Sequence, residues 1–295
     1  MRKRNTKILI TGVYGYIGSR IFNYLSKKYK NIYGIGRKKI NQKKIPNCYN
    51  KNLSFRNLKK IGLDVDIIIH CAGSGSVKES SSNFKKDYND TINSTKDLVK
   101  YCNEFKKKYH LIYISSAAVY GERKNKKKLT PISIYGKNKL KAENIIILNK
   151  NKKFTYSILR VFSLFGIGLK KQLIWDTCKK LKKNNFNFYG SGNELRSWIS
   201  IDKLNIYIDD LIQDIRINLI EDIAGNFSIK NKLVIKYIMK LMKINNEPLF
   251  DKINRKGDPQ KLIPAKNLRN KKIKFTKSDF LIELKKYVSW YNEKN

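Results

Sequence analysis

Three residues, Ser116, Tyr135 and Lys139, have the types and spacing needed for proton transfer at a hydroxyl carbon. Tyr135 and Lys139 are four positions apart, so they share a face if their segment is helical. An ammonium group beside a phenol favours the phenolate and lowers the pKa of the phenol, which makes the tyrosine a usable general acid or base. Ser116 ends an apolar run, and we expect its hydroxyl to hydrogen-bond the substrate oxygen.

The pattern Tyr-x-x-x-Lys is common in this sequence, so its context has to select the catalytic copy. Matches begin at Tyr24, Tyr120 and Tyr135, whereas about four are expected by chance at this abundance of tyrosine and lysine. Tyr24 lies in a predicted helix away from any strand edge, and Tyr120 leads into a basic loop. Only Tyr135 opens a predicted helix after a strand that ends in serine, and we therefore assign the proton transfer to it.

A glycine-rich segment, residues 11–18, reads TGVYGYIG and stands between a predicted strand and a predicted helix. Gly12 suits a tight turn, Gly15 lets the backbone approach a pyrophosphate at the helix N-terminus, and Gly18 allows close packing of helix on strand. This context indicates a dinucleotide site. Lys139 is then also expected to hold the ribose of a nicotinamide.

The end of the second predicted strand bears on which dinucleotide binds. Residues 34–39 read GIGRKK, without the acidic residue that hydrogen-bonds the ribose 2′-hydroxyl of NAD. Arg37 can instead accept the 2′-phosphate of NADP. The sequence favours NADP and leaves NAD open, because basic residues are frequent throughout the chain.

The first half of the chain alternates short apolar runs with amphipathic stretches. Strands are predicted at residues 7–11, 31–36, 66–71, 110–115 and 155–161, and helices from the glycine loop to about 28, at 87–107 and at 135–149. This alternation is typical of an α/β fold with a doubly wound parallel sheet. We expect a dinucleotide-binding domain at residues 1–162, to which residues of about 197–230 return. A smaller substrate domain is expected at residues 163–196 and 231–295, over the carboxyl edge of the sheet.

Composition excludes several classes of protein. The net charge is +41, from 64 Lys and Arg against 23 Asp and Glu. The lysines are spread along the whole chain without a basic and aromatic RNA-binding pattern, so nucleic acid is not the expected partner, although the charge should attract anionic substrates.

Four scattered cysteines and two histidines predict neither disulfides nor a metal site. No apolar run is long enough for a membrane helix and no export signal is apparent, which favours a cytoplasmic protein.

These motifs together resemble the extended short-chain dehydrogenase/reductases, specifically the NAD-dependent epimerase/dehydratase group that includes UDP-glucose 4-epimerase. Besides residues 11–18 and the Ser-Tyr-Lys set, Asn52-Leu53 stands where the family has Asp-Leu near adenine. The segment IIHCAG at residues 68–73 is similar to the family's fourth-strand loop, and Asn93 corresponds to an asparagine that shapes the active site. The resemblance implies a Rossmann-type fold with NADP or NAD bound by Gly12, Tyr14, Gly15, Tyr16, Ile17, Gly18, Arg37, Asn52, Leu53, Cys71, Ala72, Gly73, Asn93, Tyr135 and Lys139.

The second half of the chain resembles the family's nucleotide-sugar site. The segment LRVFSLFG at residues 159–166 has Ser163 where an asparagine is usual. The segment at residues 189–199 is similar to a diphosphate-binding loop with Arg196, and RKGD at 255–258 resembles a second such loop. The resemblance implies a nucleotide-diphosphate sugar bound by Ser76, Ser116, Ser163, Arg196, Arg255 and Asp258.

Two alanines restrict the reaction that the resemblance implies. The family's dehydratases and decarboxylases carry acids, and its fucose synthases a cysteine, where this chain has Ala117 and Ala118. Hydride chemistry at one sugar carbon, expected to be C4, remains. The A-A-V-Y-G segment favours an epimerase, and Arg37 favours an NADPH-dependent reductase of 4-keto sugars as the alternative. A non-catalytic NADP-binding sensor is an alternative of another class, against which the intact Ser-Tyr-Lys set argues. By the same resemblance we expect a homodimer through residues 87–107 and 135–149.

Overall fold

A parallel sheet organises the structure, a computed structural model that describes residues 5–38, 41–104, 107–122, 129–253, 257–265 and 272–294. Among these residues, seven strands pair in the order β11-β6-β5-β4-β1-β2-β3, all in parallel. The strands of this sheet are β1 (Ile8–Thr11), β2 (Ile32–Gly36), β3 (Cys48–Asn50), β4 (Ile67–His70), β5 (Tyr109–Ser116), β6 (Phe154–Val161) and β11 (Leu219–Ile223). The predicted doubly wound α/β fold is confirmed.

Helices cover both faces of this sheet. They are α1 (Tyr16–Leu25), α2 (Phe55–Ile61), α3 (Val77–Ser82), α4 (Phe84–Tyr88), α5 (Ser94–Asn103), α6 (Ile134–Leu148), α7 (Gln172–Leu181), α8 (Ile201–Gln213), α9 (Asn231–Leu241) and α10 (Lys277–Lys294). A π-helical turn (Asn89–Asn93) joins α4 to α5, and a 3₁₀ turn (Ala117–Tyr120) follows β5.

The core is divided by the sheet because successive strand residues point to opposite faces. Ile8 and Ile10 of β1 belong to one buried cluster, which includes residues of α1 and α7 to α10. Leu9 belongs to the other, with residues of α2, α5 and α6. Both faces of the parallel sheet are therefore covered, which explains why its strands read as continuous apolar runs.

The elements after β6 are shorter and less regular. Short strands form three small sheets, β7 with β10, β9 with β12 and β14, and β8 with β13. These strands are β7 (Ser163–Phe165), β8 (Asn187–Phe188), β9 (Leu195–Arg196), β10 (Trp198–Ser200), β12 (Ile229–Lys230), β13 (Leu249–Phe250) and β14 (Lys261–Leu262). Within the described ranges, no helix has the length and apolar character needed to cross a bilayer.

The structure differs from the sequence prediction in two places. Residues 87–107 do not form one helix, because the chain passes through α4, the π-helical turn and α5 before the described part breaks at residue 104. Strands β3 and β11, at the two edges of the sheet, were not predicted, since β3 is only three residues long and Glu221 and Asp222 interrupt the apolar run of β11. The division into two domains stays a prediction.

Candidate active site

The glycine loop turns sharply between β1 and α1. Gly12 has a φ of +68°, and a Cβ at this position would lie 2.8 Å from the backbone nitrogen of Ala72. A Cβ at Gly18 would overlap the carbonyl of Gly12, so these two glycines are required for packing. Gly15 is exposed and begins α1, and no described side chain caps it. The first-turn N–H groups of α1 are therefore available to an anion, as a pyrophosphate cradle requires.

Hydrogen bonds fix the loop after β4 beside the glycine loop. The N–H of Cys71 donates to the carbonyl of Thr11 at 3.2 Å, and the N–H of Ala72 donates to the Thr11 hydroxyl, also at 3.2 Å. The Thr11 hydroxyl lies 2.7 Å from Nδ1 of His70, and Nε2 of His70 lies 3.0 Å from the hydroxyl of Thr95.

The protonation of His70 follows from this chain of contacts. The Thr95 hydroxyl donates to the carbonyl of Thr91 at 2.6 Å, so it accepts from Nε2–H of His70, and Nδ1 accepts from Thr11. Burial, together with the charge of Lys139, lowers the pKa of His70 to about 3. The imidazole is therefore neutral and acts as a rigid spacer between β1 and α5.

Arg37 follows β2 and forms an ion pair. Its Nη2 lies 2.6 Å from Oδ2 of Asp90, and its side chain is 56% exposed. The arginine predicted to accept a 2′-phosphate therefore already has an anionic partner, which a phosphate has to displace or share.

The other predicted cofactor residues surround the glycine loop in different ways. The carbonyl of buried Tyr14 accepts a hydrogen bond from the Gln42 amide at 2.9 Å. The hydroxyl of Tyr16 donates to the carbonyl of Ile167 at 3.2 Å, and Ile17 packs against the core. Asn52 is exposed, and Leu53 is partly buried against α2 and its neighbours.

Ser116 and Tyr135 meet at the carboxyl end of β5. The Ser116 hydroxyl accepts a hydrogen bond from the N–H of Ala118 at 3.2 Å. Ser116 thereby caps the 3₁₀ turn that follows β5. Ser133 caps α6, so Tyr135 lies in its first turn, where its phenol is near enough to the Ser116 side chain for the serine to lower its pKa. The structure thus brings the predicted serine and tyrosine together.

Lys139 lies one turn further along α6 and is 4% exposed. Its Nζ donates to the carbonyl of Ile114 at 3.0 Å and lies 5.0 Å from the centre of the Tyr113 ring and 5.9 Å from that of Tyr135. A Cβ at Gly73, whose φ is +135°, would lie 3.5 Å from this nitrogen. The loop after β4 therefore connects the glycine loop with the lysine.

The pKa values of this pair correct one expectation. Burial raises the pKa of Tyr135 to about 12 although the nearby Ser116 side chain lowers it, and the charges of Asp87 and Glu79 raise it further. Burial lowers the pKa of Lys139 to about 8, against the opposing effects of Cys71, Asp87 and Glu143. The pKa of the phenol is therefore raised and not lowered as expected, because desolvation is the largest effect on it and Lys139 is not among the groups that shift it.

Asn93 does not join this cluster. Its side chain is exposed, donates to the Asn89 side chain at 2.8 Å and lines a surface cavity that includes Tyr88 and Ile134. Thr91, from the same π-helical turn, is buried instead, and its hydroxyl accepts from the N–H of Ser74 at 3.2 Å. The π-helical turn sets which of the two side chains points inward.

The rival Tyr-x-x-x-Lys tyrosines have structural contacts. The hydroxyl of Tyr120 donates to Asp222 at 2.5 Å and accepts from Arg160 at 3.0 Å. Arg160 also contacts the buried carboxylate of Glu143 at 2.7 Å. Tyr24, on α1 behind the glycine loop, accepts from Lys28, which follows that helix. Lys124 lies outside the described residues.

The residues predicted to bind substrate are distributed over three places. Ser76 caps α3, and Ser163 begins β7, where its N–H donates to the carbonyl of Ser197 at 3.1 Å. Arg196 is buried, and its Nη2 lies 2.8 Å from Oδ1 of Asp258. The structure therefore pairs an arginine and an aspartate from the two segments that resemble diphosphate-binding loops. Arg255 lies outside the described residues.

Sequence reasoning missed several polar side chains near the cluster. Nζ of Lys171, which precedes α7, lies 3.3 Å from Oε1 of Glu79 on α3. Asp87 is buried beside Thr91 and Asn138. One signal was present, because Asp87 and Thr91 are four residues apart and could share a helix face. Among the described residues, no group of His, Cys, Asp and Glu has the arrangement of a metal site.

The sequence model of a known protein family matches most of this chain. The model of the NAD dependent epimerase/dehydratase family matches residues 8–213. The chain belongs to this family. Its fold and motifs agree with the resemblance drawn from the sequence, and it is thereby a member of an enzyme family.

Curated relatives and a solved structure extend the comparison. A dTDP-D-glucose 4,6-dehydratase of Dictyostelium discoideum is 29% identical over 269 residues, which cover 80% of this chain and 62% of that protein. The chain thus spans less than two thirds of that relative. An uncharacterized UDP-glucose epimerase of Bacillus subtilis is 27% identical over 71% of each chain. The structure of a UDP-glucuronic acid 4-epimerase mutant from Bacillus cereus, with a fluorinated substrate analogue and NAD, shares the fold with a TM-score of 0.83, 21% identity and coverage of 97% and 100%.

Proposed function

We propose that this protein is an NAD(P)-dependent nucleotide-sugar 4-epimerase that uses Ser116, Tyr135 and Lys139. The observation that carries the proposal is the meeting of these three side chains at the end of β5, with Gly73 between Lys139 and the glycine loop. Hydride chemistry needs an acid or base at the reacting hydroxyl and a dinucleotide beside it. The chain offers a proton-transfer group at Tyr135 and, next to it, a glycine loop that suits a dinucleotide.

Tyr135 is the proton-transfer residue in this proposal. As the phenolate, Tyr135 takes the proton of the sugar hydroxyl while the carbonyl forms, and the resulting phenol returns that proton when the carbonyl is reduced from the other face. Ser116 supplies a second hydroxyl beside that oxygen and holds the substrate oxygen in line with the phenol. The pKa of Tyr135 near 12 means that the phenolate needs further positive charge nearby during the reaction.

The residues present fit a nicotinamide dinucleotide. The exposed Gly15 at the start of α1 leaves its first-turn N–H groups open to a pyrophosphate, and Gly73 leaves space in front of Lys139. When bound, NAD or NADP supplies the hydride acceptor and donor. Lys139 would hold the nicotinamide ribose and place its positive charge near the phenol of Tyr135.

Nucleotide-diphosphate sugars are the proposed substrates. Proteins of similar fold bind UDP sugars, among them a UDP-glucuronic acid 4-epimerase with UDP-glucuronic acid and a UDP-glucose 4-epimerase with UDP-glucose. In this chain, the side chain of Arg196 is buried, and it pairs with the carboxylate of Asp258, which is exposed. The arginine would bind the diphosphate and the aspartate the nucleotide ribose. The net charge of +41 would favour encounter with such anions.

Reduction of a 4-keto sugar by NADPH is the second candidate. Arg37 favours it, because an arginine at the end of β2 suits a 2′-phosphate. Dehydration has less support, because Ala117 and Ala118 offer no group that could move a proton. One relative is nevertheless a dTDP-D-glucose 4,6-dehydratase.

The experiment is to identify the dinucleotide that co-purifies by mass spectrometry and then to test a panel of UDP and dTDP sugars. An epimerase would retain its dinucleotide and interconvert C4 epimers without added cofactor. Consumption of added NADPH with a 4-keto sugar would establish the reductase. No conversion of any sugar with a correctly folded, dinucleotide-loaded protein would contradict both and favour a sensor.

A further inference from the structure

Asp87 is a buried carboxylate for which the proposed proton transfer has no role. It lies in α4, one residue before the end of that helix, and is 1% exposed. Its Oδ1 accepts from the hydroxyl of Thr91 at 2.8 Å, and its Oδ2 accepts from the amide of Asn138 at 3.1 Å. A buried carboxylate is costly unless its oxygens are hydrogen-bonded, and here two donors come from two different helical segments.

Each of these donors belongs to a segment that forms the candidate active site. Asn138 directly precedes Lys139 on α6. Thr91 gives its hydrogen to Asp87, which leaves its oxygen to accept from the N–H of Ser74, next to Gly73. Asp87 therefore sets the direction of a hydrogen-bond chain that runs from α6 through the π-helical turn to the loop after β4. π-Helical turns are frequent at functional sites.

We propose that Asp87 is a positioning residue of the catalytic centre, which ties α6 to the loop after β4 and places a negative charge near the Tyr135 and Lys139 pair. This inference rests on the proposed use of these two residues in proton transfer. It adds a residue that the Ser-Tyr-Lys pattern does not contain.

The electrostatic part of the argument follows from the groups around the pair. The charge of Asp87 raises the pKa of Lys139 against the effect of burial, and it also raises the pKa of Tyr135. Other titratable groups face the pair from α3, β4 and its loop, β5 and α6, namely Glu79, His70, Cys71, Tyr113 and Glu143. Because Asp87 acts on both members in the same direction, its neutralisation should lower both pKa values together.

Two variants separate the charge of Asp87 from its hydrogen bonds. In Asp87→Asn, the new amide can accept from Thr91 and donate to Asn138 once the Asn138 amide turns over, so only the charge is lost. In the exchange D87N/N138D, the amide at 87 accepts from Thr91 and donates to a carboxylate at 138, which restores the charge beside Lys139. Ser94→Ala is the matched control, because its buried hydroxyl donates to the carbonyl of Asp90 in the same helical region.

The first measurement is the pH profile of kcat/KM with whichever UDP or dTDP sugar the wild type converts. We expect both limbs for Asp87→Asn to move to lower pH by about one unit, the low end of the shift produced by a nearby charge. The exchange variant should return them towards the wild type, and Ser94→Ala should leave them in place. Superimposable profiles for wild type and Asp87→Asn, or an exchange variant that recovers nothing, would overturn the proposal.

The second measurement does not depend on a substrate. The free energy of unfolding is measured with urea from pH 6 to 10 for each protein and for its Lys139→Met derivative. The difference between the two gives the contribution of Lys139 to stability at each pH. We expect the contribution of Lys139 to begin to change at lower pH in Asp87→Asn than in the wild type. An unchanged onset would overturn the electrostatic role even in active enzyme, whereas a shifted onset in a protein that converts no sugar would contradict only the proposed function. If Asp87→Asn does not fold, the exchange variant carries both measurements.

Discussion

Nζ of Lys139 lies 5.9 Å from the centre of the Tyr135 ring while it donates to the carbonyl of Ile114 at 3.0 Å. Lys139 belongs to the helix that carries Tyr135, so this hydrogen bond ties that helix to the strand that ends in Ser116. The predictions below concern the site organised around this lysine.

Tyr135→Phe should slow hydride transfer by roughly 10²–10⁴-fold, as is typical for the loss of a general acid or base. The substitution removes only the hydroxyl, so dinucleotide binding and the fold should be nearly unchanged. The measurement is single-turnover transfer, followed by absorbance of the reduced nicotinamide, with the sugar that the wild type converts.

Tyr24→Phe and Tyr120→Phe are the matched controls for this experiment. Tyr24→Phe removes a surface contact with Lys28 and should leave the rate intact. Tyr120→Phe removes contacts with Asp222 and Arg160, so it should cost about 1–3 kcal/mol of stability with a far smaller loss of rate. A near-normal rate for Tyr135→Phe combined with a large loss for Tyr120→Phe would show that the active site is assigned to the wrong tyrosine.

Gly15→Val should abolish dinucleotide binding while the protein stays folded. The φ of Gly15 is −78°, which any residue adopts, and its Cβ would meet only the carbonyl of Gly12, at 3.1 Å. The added side chain would stand where we expect the pyrophosphate. Calorimetric titration with NAD⁺ and NADP⁺ gives the affinity and thermal unfolding checks the fold, and retained affinity in a folded variant would refute the site.

NADP(H) should bind more tightly than NAD(H), through Arg37. Replacement by Gln should weaken NADP⁺ by about tenfold or more, the loss expected for one hydrogen bond to a charged group, with little effect on NAD⁺. Asp90→Asn removes the partner at 2.6 Å and should strengthen NADP⁺ binding. Equal affinities for the two dinucleotides in the wild type would mean that Arg37 serves only its pair with Asp90.

The protein should form a homodimer through an apolar surface of α4 and α6. Phe84 is 69% exposed, Tyr88 40% and Ile134 41%, and they border one surface cavity of about 530 Å³. Ile134→Asp should shift the mass measured by light scattering towards the monomer, since it places a charge in the expected interface. Ile217→Asp, at another exposed apolar residue, should not, and a monomeric wild type at working concentration would contradict the prediction.

Lys139→Met should stabilise the protein at neutral pH and remove one component of its pH dependence. The pKa of Lys139 is about 8 when folded, below its ordinary value of 10.5, so the unfolded chain binds the extra proton between these pH values. This group therefore makes stability rise as pH increases through about 8 to 10.5. Urea unfolding from pH 7 to 10 should show that rise in the wild type and a smaller one in the variant; parallel curves would argue against a depressed pKa.

The sequence by itself determined the parallel α/β fold and the family. The glycines at 12, 15 and 18 can be recognised because a tight turn and a close helix approach tolerate no side chain. All three lie within one short segment, so the pattern is visible without knowing the fold. The strand before Ser116 and the helix carrying Tyr135 could also be predicted from their own segments, because the spacing of apolar residues within each segment indicates its secondary structure. These features need no knowledge of distant contacts.

Only the tertiary structure decided which side chains share the site and with what charge state. The π-helical turn directs Thr91 rather than Asn93 inward, and no periodicity of 3.6 reveals such a turn. The pKa of Tyr135 rises because desolvation exceeds the effect of its neighbours, and burial is a property of the assembled fold. The pairs of Arg37 with Asp90, of Arg196 with Asp258 and of Asp87 with Asn138 join residues more than 50 positions apart, so only folding brings them together.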